Sequence, residues 1–427
     1  LVLADNLITL FMFRELTSVC SYLLIGFDHE KAGARASALK ALLVTGLGGL
    51  LLLAGFLLMS IAGEQLGLSA VAAGKISGLA EVNLRAHPWY HGIFILVLLG
   101  CITKSAQVPF HFWLPAAMAG PTPVSSYLHS ATMVKAGVYL LARLSPHLGG
   151  TEVWGWTLGL IGMLTMFTGA FATLGQRDMK RVLAYSTLAV LGTLVMLLGV
   201  GTELAVKTAV VYLVAHAMYK AALFMVAGNV DHETGTRDLR VLGGLRSLMP
   251  WTALAGILAA LSKAGAPPMF GFIGKEMLYK TKLTVESLGA WAVLASVVAN
   301  VALVASALMV SVTPFLGKRG DTPRKPHEAP LSMVLGALLL SLMGLGRGLQ
   351  PHPFETNLGS SAASAILGRP VEMHLKLWHG VDPAALTVLG LSIATLALGY
   401  TLYRLIRARV APLGPTLRRL TAFGPTQ

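Results

Sequence analysis

The sequence predicts an all-α, polytopic bundle of transmembrane helices. Hydrophobic residues fill 55% of the 427 positions and charged residues only 12%, with a mean hydropathy of +0.70. A soluble domain carries about 25% charged residues. Apolar runs of about 20 residues recur from end to end, the length that crosses a bilayer core. Each run is far too long for a barrel strand, and only helices and closed barrels satisfy their backbone within lipid.

The spans are expected at 1–27, 36–62, 91–118, 124–144, 153–174, 182–200, 203–229, 250–283, 287–312, 330–347 and 383–405. The first carries Glu15 near its middle. The third contains Val108-Pro109-Phe110 and then Leu114-Pro115, and proline there removes a donor and clashes with the preceding turn, so the helix should break. The fourth follows Pro121-Thr122-Pro123 and carries His129. The seventh carries Tyr212, His216 and Lys220. The eighth contains Gly265-Ala266-Pro267-Pro268 and should break like the third. The segment from Arg319 to Pro330 reads as a polar linker before the last two spans. The loops at 63–90 and 348–382 are long and weakly patterned, suited to packing on the outer surface or on partner subunits.

Two interrupted spans, with Lys104 before the first break and Lys275 after the second, suggest an internal repeat. Paired broken helices are also the best sequence pointer to a transport site. The bland alternative is a pair of ordinary proline kinks.

Loop charge gives an orientation. With alternate crossings, one side holds Lys31, Arg35, Arg177, Lys180, Arg181, Arg237, Arg240, Arg246, Lys318, Arg319, Arg324 and Lys325, followed by Arg404, Arg407, Arg409, Arg418 and Arg419. The other side holds Lys75, Arg85, Arg143, Lys282, Arg347, Arg369 and Lys376 over longer loops. The positive-inside rule places the first side in the cytoplasm. The net charge of +14 is spread through these short loops, which argues against nucleic acid as a partner. Cys20 and Cys101 stand far apart in apolar spans, so neither a disulfide scaffold nor a zinc site is indicated. No GxxxxGK[ST] pattern, haem-ligand His pair or Fe–S cysteine set occurs, so no cofactor is expected. The chain opens at Leu1 inside an apolar segment and is expected to be a fragment lacking earlier helices.

An ionisable group at membrane depth costs about 2.5–3.5 kcal/mol even on the mildest scale, so each one asks for a function or a partner. Six stand out: Glu15, Lys104, His129, His216, Lys220 and Lys275. Lys104 follows about 13 residues of helix, roughly 20 Å in, too deep to snorkel. Helical neighbours do not face each other, so the partner of Glu15 is expected on another helix rather than at Arg14, with Lys104 the candidate. A structural ion pair is the alternative. His129 reads equally as a proton relay or as a hydrogen-bonded core residue. His216 and Lys220 share a face with Tyr212 at four-residue spacing, a stripe that suits a polar channel wall. Lys275 reads as a terminal relay, or with Glu276 as a solvated helix end. Lys135 and Lys263 are also buried by sequence. Lys263 is placed to hydrogen-bond the carbonyls freed at the Gly265–Pro268 break, while Lys40 and Lys207 are placed to snorkel.

Lys104-Ser105-Ala106-Gln107-Val108-Pro109-Phe110-His111-Phe112-Trp113-Leu114-Pro115 continues through Ala119-Gly120-Pro121-Thr122-Pro123-Val124-Ser125 and His129-Ser130-Ala131-Thr132-Met133-Val134-Lys135-Ala136-Gly137-Val138-Tyr139. Together with Asp178-Met179-Lys180-Arg181-Val182-Leu183-Ala184-Tyr185-Ser186-Thr187 and His216-Ala217-Met218-Tyr219-Lys220-Ala221-Ala222-Leu223-Phe224, this strongly resembles the antiporter-like subunit family shared by respiratory complex I and Mrp-type cation/proton antiporters. Phe110-His111-Phe112-Trp113 and Asp231-His232-Glu233-Thr234-Gly235-Thr236-Arg237-Asp238 resemble its Mrp A-subunit branch. The match covers most of residues 1–312.

The resemblance implies two inverted five-helix repeats, each with a broken helix: a partial first repeat over 1–150, a second over 151–312, and a linker with additional C-terminal helices over 313–427. It implies a relay in which Glu15 and Lys104 are partners, His129, His216 and Lys220 are central, and Lys275 is the lysine of the second broken helix. It implies a proton-translocating, multi-pass subunit of a multisubunit Na⁺/H⁺ antiporter in a prokaryotic plasma membrane. The partners would be other membrane subunits of that complex, with protons and Na⁺ as cargo and no resident metal or cofactor. Arg14 stands where the family commonly has Trp, and Tyr212 where it commonly has a second His. The alternative within the family is a proton-pumping subunit of an NADH-quinone oxidoreductase-like complex, and a third reading is an assembly scaffold.

Overall fold

The structure is a computed structural model that describes residues 1–65, 74–76, 78–79, 83–284, 289–316, 320–378, 380 and 383–408. Residues 66–73, 77 and 80–82 of the 63–90 loop, together with Lys318, Arg319, Arg409, Arg418 and Arg419, lie outside the described residues. The chain runs through α1 (Leu7–Ile25), α2 (Ala32–Gln65), α3 (Tyr90–Lys104), α4 (Trp113–Ala116), α5 (Thr122–Ser130), α6 (Ala136–Leu148), α7 (Glu152–Leu174) and α8 (Met179–Val200). It continues through α9 (Glu203–Thr234), α10 (Pro250–Ala264), α11 (Phe270–Leu283), α12 (Gly289–Leu316), α13 (Leu331–Leu349), α14 (Ser360–Leu367) and α15 (Pro383–Ala408). Among the described residues the only β pairing is two isolated bridges.

Eight of these helices are long and apolar enough to cross a membrane: α1, α2, α7, α8, α9, α12, α13 and α15. The other three expected spans are built from shorter helices in series. α3 stops at Lys104 and helical turns resume at Phe110–Phe112, α4 and Ala117–Ala119; α10 stops at Ala264 and α11 begins at Phe270. Both breaks fall at the prolines that forbid a continuous ladder.

A third break, between α5 and α6, was not expected: 124–144 read as one helix, and Ala131–Lys135 contains neither Pro nor Gly. Thr132 leaves the helical region (φ −110°, ψ −99°). Its hydroxyl donates to the Tyr127 carbonyl at 2.7 Å, and Lys135 Nζ donates to the His129 carbonyl at 2.8 Å. Side chains thus satisfy carbonyls that lose their ladder partners, as buried backbone requires.

α8 is the central post, buried on all faces. Its contact with α7 is backbone on backbone: a Cβ at Gly162 would lie 2.5 Å from Met196 N, and Gly169 and Gly192 are as tightly opposed. Without a hydrophobic drive between helices in lipid, such small-residue seams are what lets helices associate.

Both ends of the bundle are tied. At one end Asp178 caps α8 through Lys180 N and Arg181 N (2.7 and 3.2 Å) and accepts from Arg237 Nε at 3.0 Å, while Arg237 also reaches Asp231 at 3.3 Å. Backbone bonds from Met179 N to Arg237 O (3.1 Å) and from Leu239 N to Arg177 O (2.9 Å) close the same clasp. The 320–330 linker is held there too. Buried Glu233 lies between His232 (2.8 Å) and His327 (3.1 Å), and Glu328 accepts from Trp251 N and the Thr252 hydroxyl at the start of α10. At the other end, the long segment after α13 is folded. Phe354, Ala363, Met373 and Leu375 pack on Val206, Val210 and Phe270 of α9 and α11, and Arg369 meets Glu203 at 2.7 Å. The other Glu203 oxygen takes Lys207 at 2.7 Å, so Lys207 is paired rather than snorkelling.

Two residues counted as loop charges belong to the interior. Lys180 is buried beneath the start of α8, donating to the Gly120 carbonyl at 2.6 Å. Lys282 is buried in the last turn of α11, its Nζ without a protein hydrogen-bond partner among the described residues.

Candidate functional site

On α1 the buried positions Leu7, Leu10, Arg14, Ser18, Ser21 and Ile25 form one helical stripe. Arg14 therefore points inward, and Glu15 sits at the edge of the stripe with 27% of its side chain exposed. The Arg14 guanidinium donates to Thr45 O on α2 (3.0 Å), to Gly100 O on α3 (2.9 Å) and to the Glu15 carboxylate. This corrects the expectation that Glu15 would find its partner on another helix at Lys104. The cause is a notch in α2. Gly49 lacks a side chain where the two groups meet, and a Cβ there would run into both. Lys104, fully buried, instead donates to Ser18 Oγ at 2.8 Å.

Ser105, next to Lys104, locks the first break to the unexpected one. Its hydroxyl donates to Val134 O at 2.8 Å and accepts from Val138 N at 3.0 Å. His129 lies just across that junction, fully buried, its ring 6.1 Å from Phe224 of α9. Phe224 continues the α9 face that carries Tyr212, His216 and Lys220, so the structure brings His129 to the same row. Lys220 Nζ donates to Leu183 O at 2.9 Å and Ser186 Oγ at 2.6 Å on α8. Tyr212 packs its ring 3.2 Å from where a Cβ of Gly274 would lie, beside Lys275. Both ring nitrogens of His129 and of His216, and Ser130 Oγ, are buried without a protein hydrogen-bond partner among the described residues. Buried polar atoms demand partners, so these positions suit water or a moving proton better than apolar packing.

Lys275 reaches back across the second break and donates to Ala264 O at 2.7 Å. It and Glu276 are both buried, which overturns the solvated-face alternative. Capping the break is thus the work of Lys275 and not, as expected, of Lys263. Lys263 turns to α12, where it donates to Leu303 O at 3.0 Å and to Ser306 Oγ.

The two proline breaks share their backbone residue for residue. Lys104 stands five positions before Pro109, and Lys263 five before Pro268. Three positions before each proline the chain turns left-handed, at Ala106 (φ 50°) and Gly265 (φ 72°). Ala106 N bonds Thr103 O and Gln107 N bonds Ile102 O, matched by Gly265 N to Ser262 O and Ala266 N to Leu261 O. In this register the counterpart of Lys104 is Lys263, and that of Lys275 is Ala116.

Lys104, Lys135, Lys180, Lys220, Lys263, Lys275 and Lys282 are all buried, and among the described residues none has a carboxylate within ion-pair distance. Sequence reasoning missed Arg14 as the buried tie; it reads Lys263 as buried, as the structure has it, but does not match it to Lys104, for which equal spacing to the two prolines was the available signal. No cluster of three His, Cys, Asp or Glu among the described residues is placed to hold a metal. A largely apolar cleft of about 630 Å³ opens beside the α5–α6 junction, with Lys135, Cys20 and Tyr139 on its wall. Outside the spans, the Asp238 carboxyl is held below its ordinary value, first by a hydrogen bond from Arg240, and Arg240 is raised by the same contact.

The NADH:quinone oxidoreductase/Mrp antiporter transmembrane family model matches residues 4–303. A Rhizobium meliloti protein, named as the A/B-subunit of a probable K⁺/H⁺ antiporter, is 43% identical over 98% of this chain and 42% of its own length. The A-subunit of a Bacillus subtilis Na⁺/H⁺ antiporter is 37% identical over 92% of this chain and 52% of its own length. The Mrp complex from Dietzia sp. DQ12-45-1b contains a chain that matches with a TM-score of 0.82 at 35% identity, over 98% of this chain and 45% of that one. The chain thus spans about half the length of these relatives. On the match over residues 4–303, and with the helical bundle that accompanies it, the chain belongs to the NADH:quinone oxidoreductase/Mrp antiporter transmembrane family.

Proposed function

We propose that the chain is the proton-translocating part of a membrane subunit in a multisubunit monovalent cation/H⁺ antiporter of a bacterial plasma membrane. The observation that carries this reading is the series of buried lysines and histidines without carboxylate partners, Lys104, His129, His216, Lys220 and Lys275 among them. Each costs about 2.5–3.5 kcal/mol or more at membrane depth, a burden that packing alone does not explain. The relatives named as antiporter subunits support exchange over redox-driven pumping, and their names offer Na⁺ and K⁺ as the cation. The partners in this reading are the other membrane subunits of an Mrp-type complex.

A proton would move by hopping among groups that can each hold it in one of two states. Histidine accepts and donates through either ring nitrogen, and lysine holds a proton more or less firmly as neighbouring charges change. The first station would be Lys104 beside Ser18, with the Arg14–Glu15 pair as the nearby charge that biases it. His129, His216 and Lys220 form the central row and Lys275 the far station. The fold would be read as two related halves, 1–150 and 151–312, each with its own broken helix.

Lys220→Ala in the complete complex tests this reading. In everted membrane vesicles, cation-driven dissipation of a pH gradient should fall at least tenfold with the complex still assembled. Wild-type exchange from that variant would remove the row from the mechanism, and proton flux driven by NADH in place of a cation gradient would favour the redox branch.

A further inference from the structure

We propose that Lys263 is an additional proton-holding residue on the transport route, seated in a cradle that duplicates the one beneath Lys220. The proposal rests on the antiporter reading above and adds a station to it. Lys220 bonds the carbonyl of Leu183 and the hydroxyl of Ser186, three residues on along α8. Lys263 bonds the carbonyl of Leu303 and the hydroxyl of Ser306, three residues on along α12. In both cradles the serine hydroxyl also donates back to the same carbonyl, at 3.0 Å for Ser186 and 2.7 Å for Ser306. Two buried lysines on different helices, each held by Leu O and Ser Oγ one turn apart, share one chemical arrangement.

That arrangement accommodates a lysine in either protonation state. A hydroxyl has one donor and two acceptor sites and turns freely. With the ammonium present, the serine accepts from Nζ and donates to the carbonyl. When Nζ–H breaks and the proton passes to a neutral neighbour, the hydroxyl turns to donate to the vacated lone pair. No heavy atom moves, and neither state leaves a buried polar atom unmatched, which is the usual penalty for discharging a buried lysine. Lys135, Lys180 and Lys275 rest on carbonyls, which offer an amine lone pair nothing.

Position supports the same assignment. Lys263 is the register counterpart of Lys104, and Lys104 also ends on a serine hydroxyl, Ser18. Lys263 belongs to the same buried series as His216, Lys220 and Lys275. The residue that follows it, Ala264, supplies the carbonyl that holds Lys275. In this proposal a proton leaving Lys263 passes to His216 or to Lys275 in its uncharged form, forming one N–H bond there for the one broken.

The test uses Lys263→Gln and Lys263→Arg in the complete complex, with Lys220→Ala alongside, in everted vesicles. Glutamine cannot carry the proton, and arginine keeps charge and hydrogen bonds but does not release it. Both Lys263 variants should assemble at wild-type levels and lose cation-driven proton flux at least tenfold. If Lys220→Ala keeps its flux, the antiporter reading fails. If Lys220→Ala loses flux while either assembled Lys263 variant keeps half or more, Lys263 is a structural staple between α10 and α12 and the proposal is overturned. Failure of both Lys263 variants to assemble overturns it equally. Ser306→Ala leaves the lysine but removes the turning hydroxyl, and should move the pH midpoint of exchange by about half a unit or more. A profile that superposes on the wild type would contradict the cradle mechanism.

Discussion

Substituting Gly49 by alanine adds one methyl group at the place where the Arg14–Glu15 pair meets α2. The new Cβ would lie 2.7 Å from Glu15 Cδ, against about 3.5–4.0 Å for ordinary carbon contact, so the pair must retreat by roughly 1 Å. Arg14 holds Thr45 O at 3.0 Å and Gly100 O at 2.9 Å, and a retreat of that size takes either bond beyond hydrogen-bonding range. A bond from a charged donor contributes about 1.5–3 kcal/mol. Losing one or two of them, offset by the gain of roughly 1 kcal/mol for Gly→Ala in a helix, leaves a net loss of about 0.5–5 kcal/mol. Gly46, one turn earlier on the same helix, has open space where its Cβ would go. Gly46→Ala should therefore be neutral or slightly stabilising. The assay is thermal aggregation of the detergent-solubilised complex, read alongside cation-driven proton flux in vesicles. Gly49→Ala should lower the midpoint and the flux, Gly46→Ala neither. Indistinguishable behaviour of the two would mean that the notch does not house the pair.

The α7–α8 seam and the clasp beyond α8 give two further tests. Gly192→Leu drives a side chain into the Met166 backbone, so assembled complex should be lost on a native gel, whereas Gly159→Ala, facing open space, should assemble normally. At the clasp, Arg240 depresses the pKa of Asp238, so the pair stabilises above the unfolded carboxyl value and loses that contribution as pH falls through the lower folded value. Asp238→Asn should modestly speed hydrogen exchange at the Met179 and Leu239 amides at neutral pH, since an exposed pair contributes little. The difference should close once pH has fallen through the depressed carboxyl value of Asp238; an equal difference there would show that the side chain acts through shape rather than charge.

Much of the fold is legible in the sequence because lipid admits so few solutions. Apolar runs of spanning length and two proline clusters place the helices and two of their three breaks. The α5–α6 break escapes because nothing in Ala131–Lys135 forbids a helix; it exists through Thr132 and Lys135 reaching nearby carbonyls, a tertiary arrangement. The Arg14–Glu15 pairing escapes for a related reason. Neighbours on an isolated helix diverge, yet both long side chains bend to a gap that only α2 provides. Lys180 and Lys282 read as loop charges because they flank helix ends, and burial there depends on which segment covers the end. The lysines at the proline breaks were visible as a pair, but Lys275 was matched to Lys104 by nearness to a break rather than by spacing to the proline, which selects Lys263.

The return of Lys275 across the second break has a consequence for how the chain can vary. Its aliphatic stem passes over Gly265, where a Cβ would lie 3.2 Å from both Cγ and Cε and closer still to Cδ. At the matching place in the first break the left-handed residue is Ala106, and no lysine passes over it because position 116 is alanine. A lysine at 275 and a glycine at 265 are therefore one choice made twice. A chain that acquired the lysine first would strain the turn, and one that replaced the glycine would have to shorten the lysine. The two positions can drift only together, and that pairing gives the second break a lysine that the first lacks.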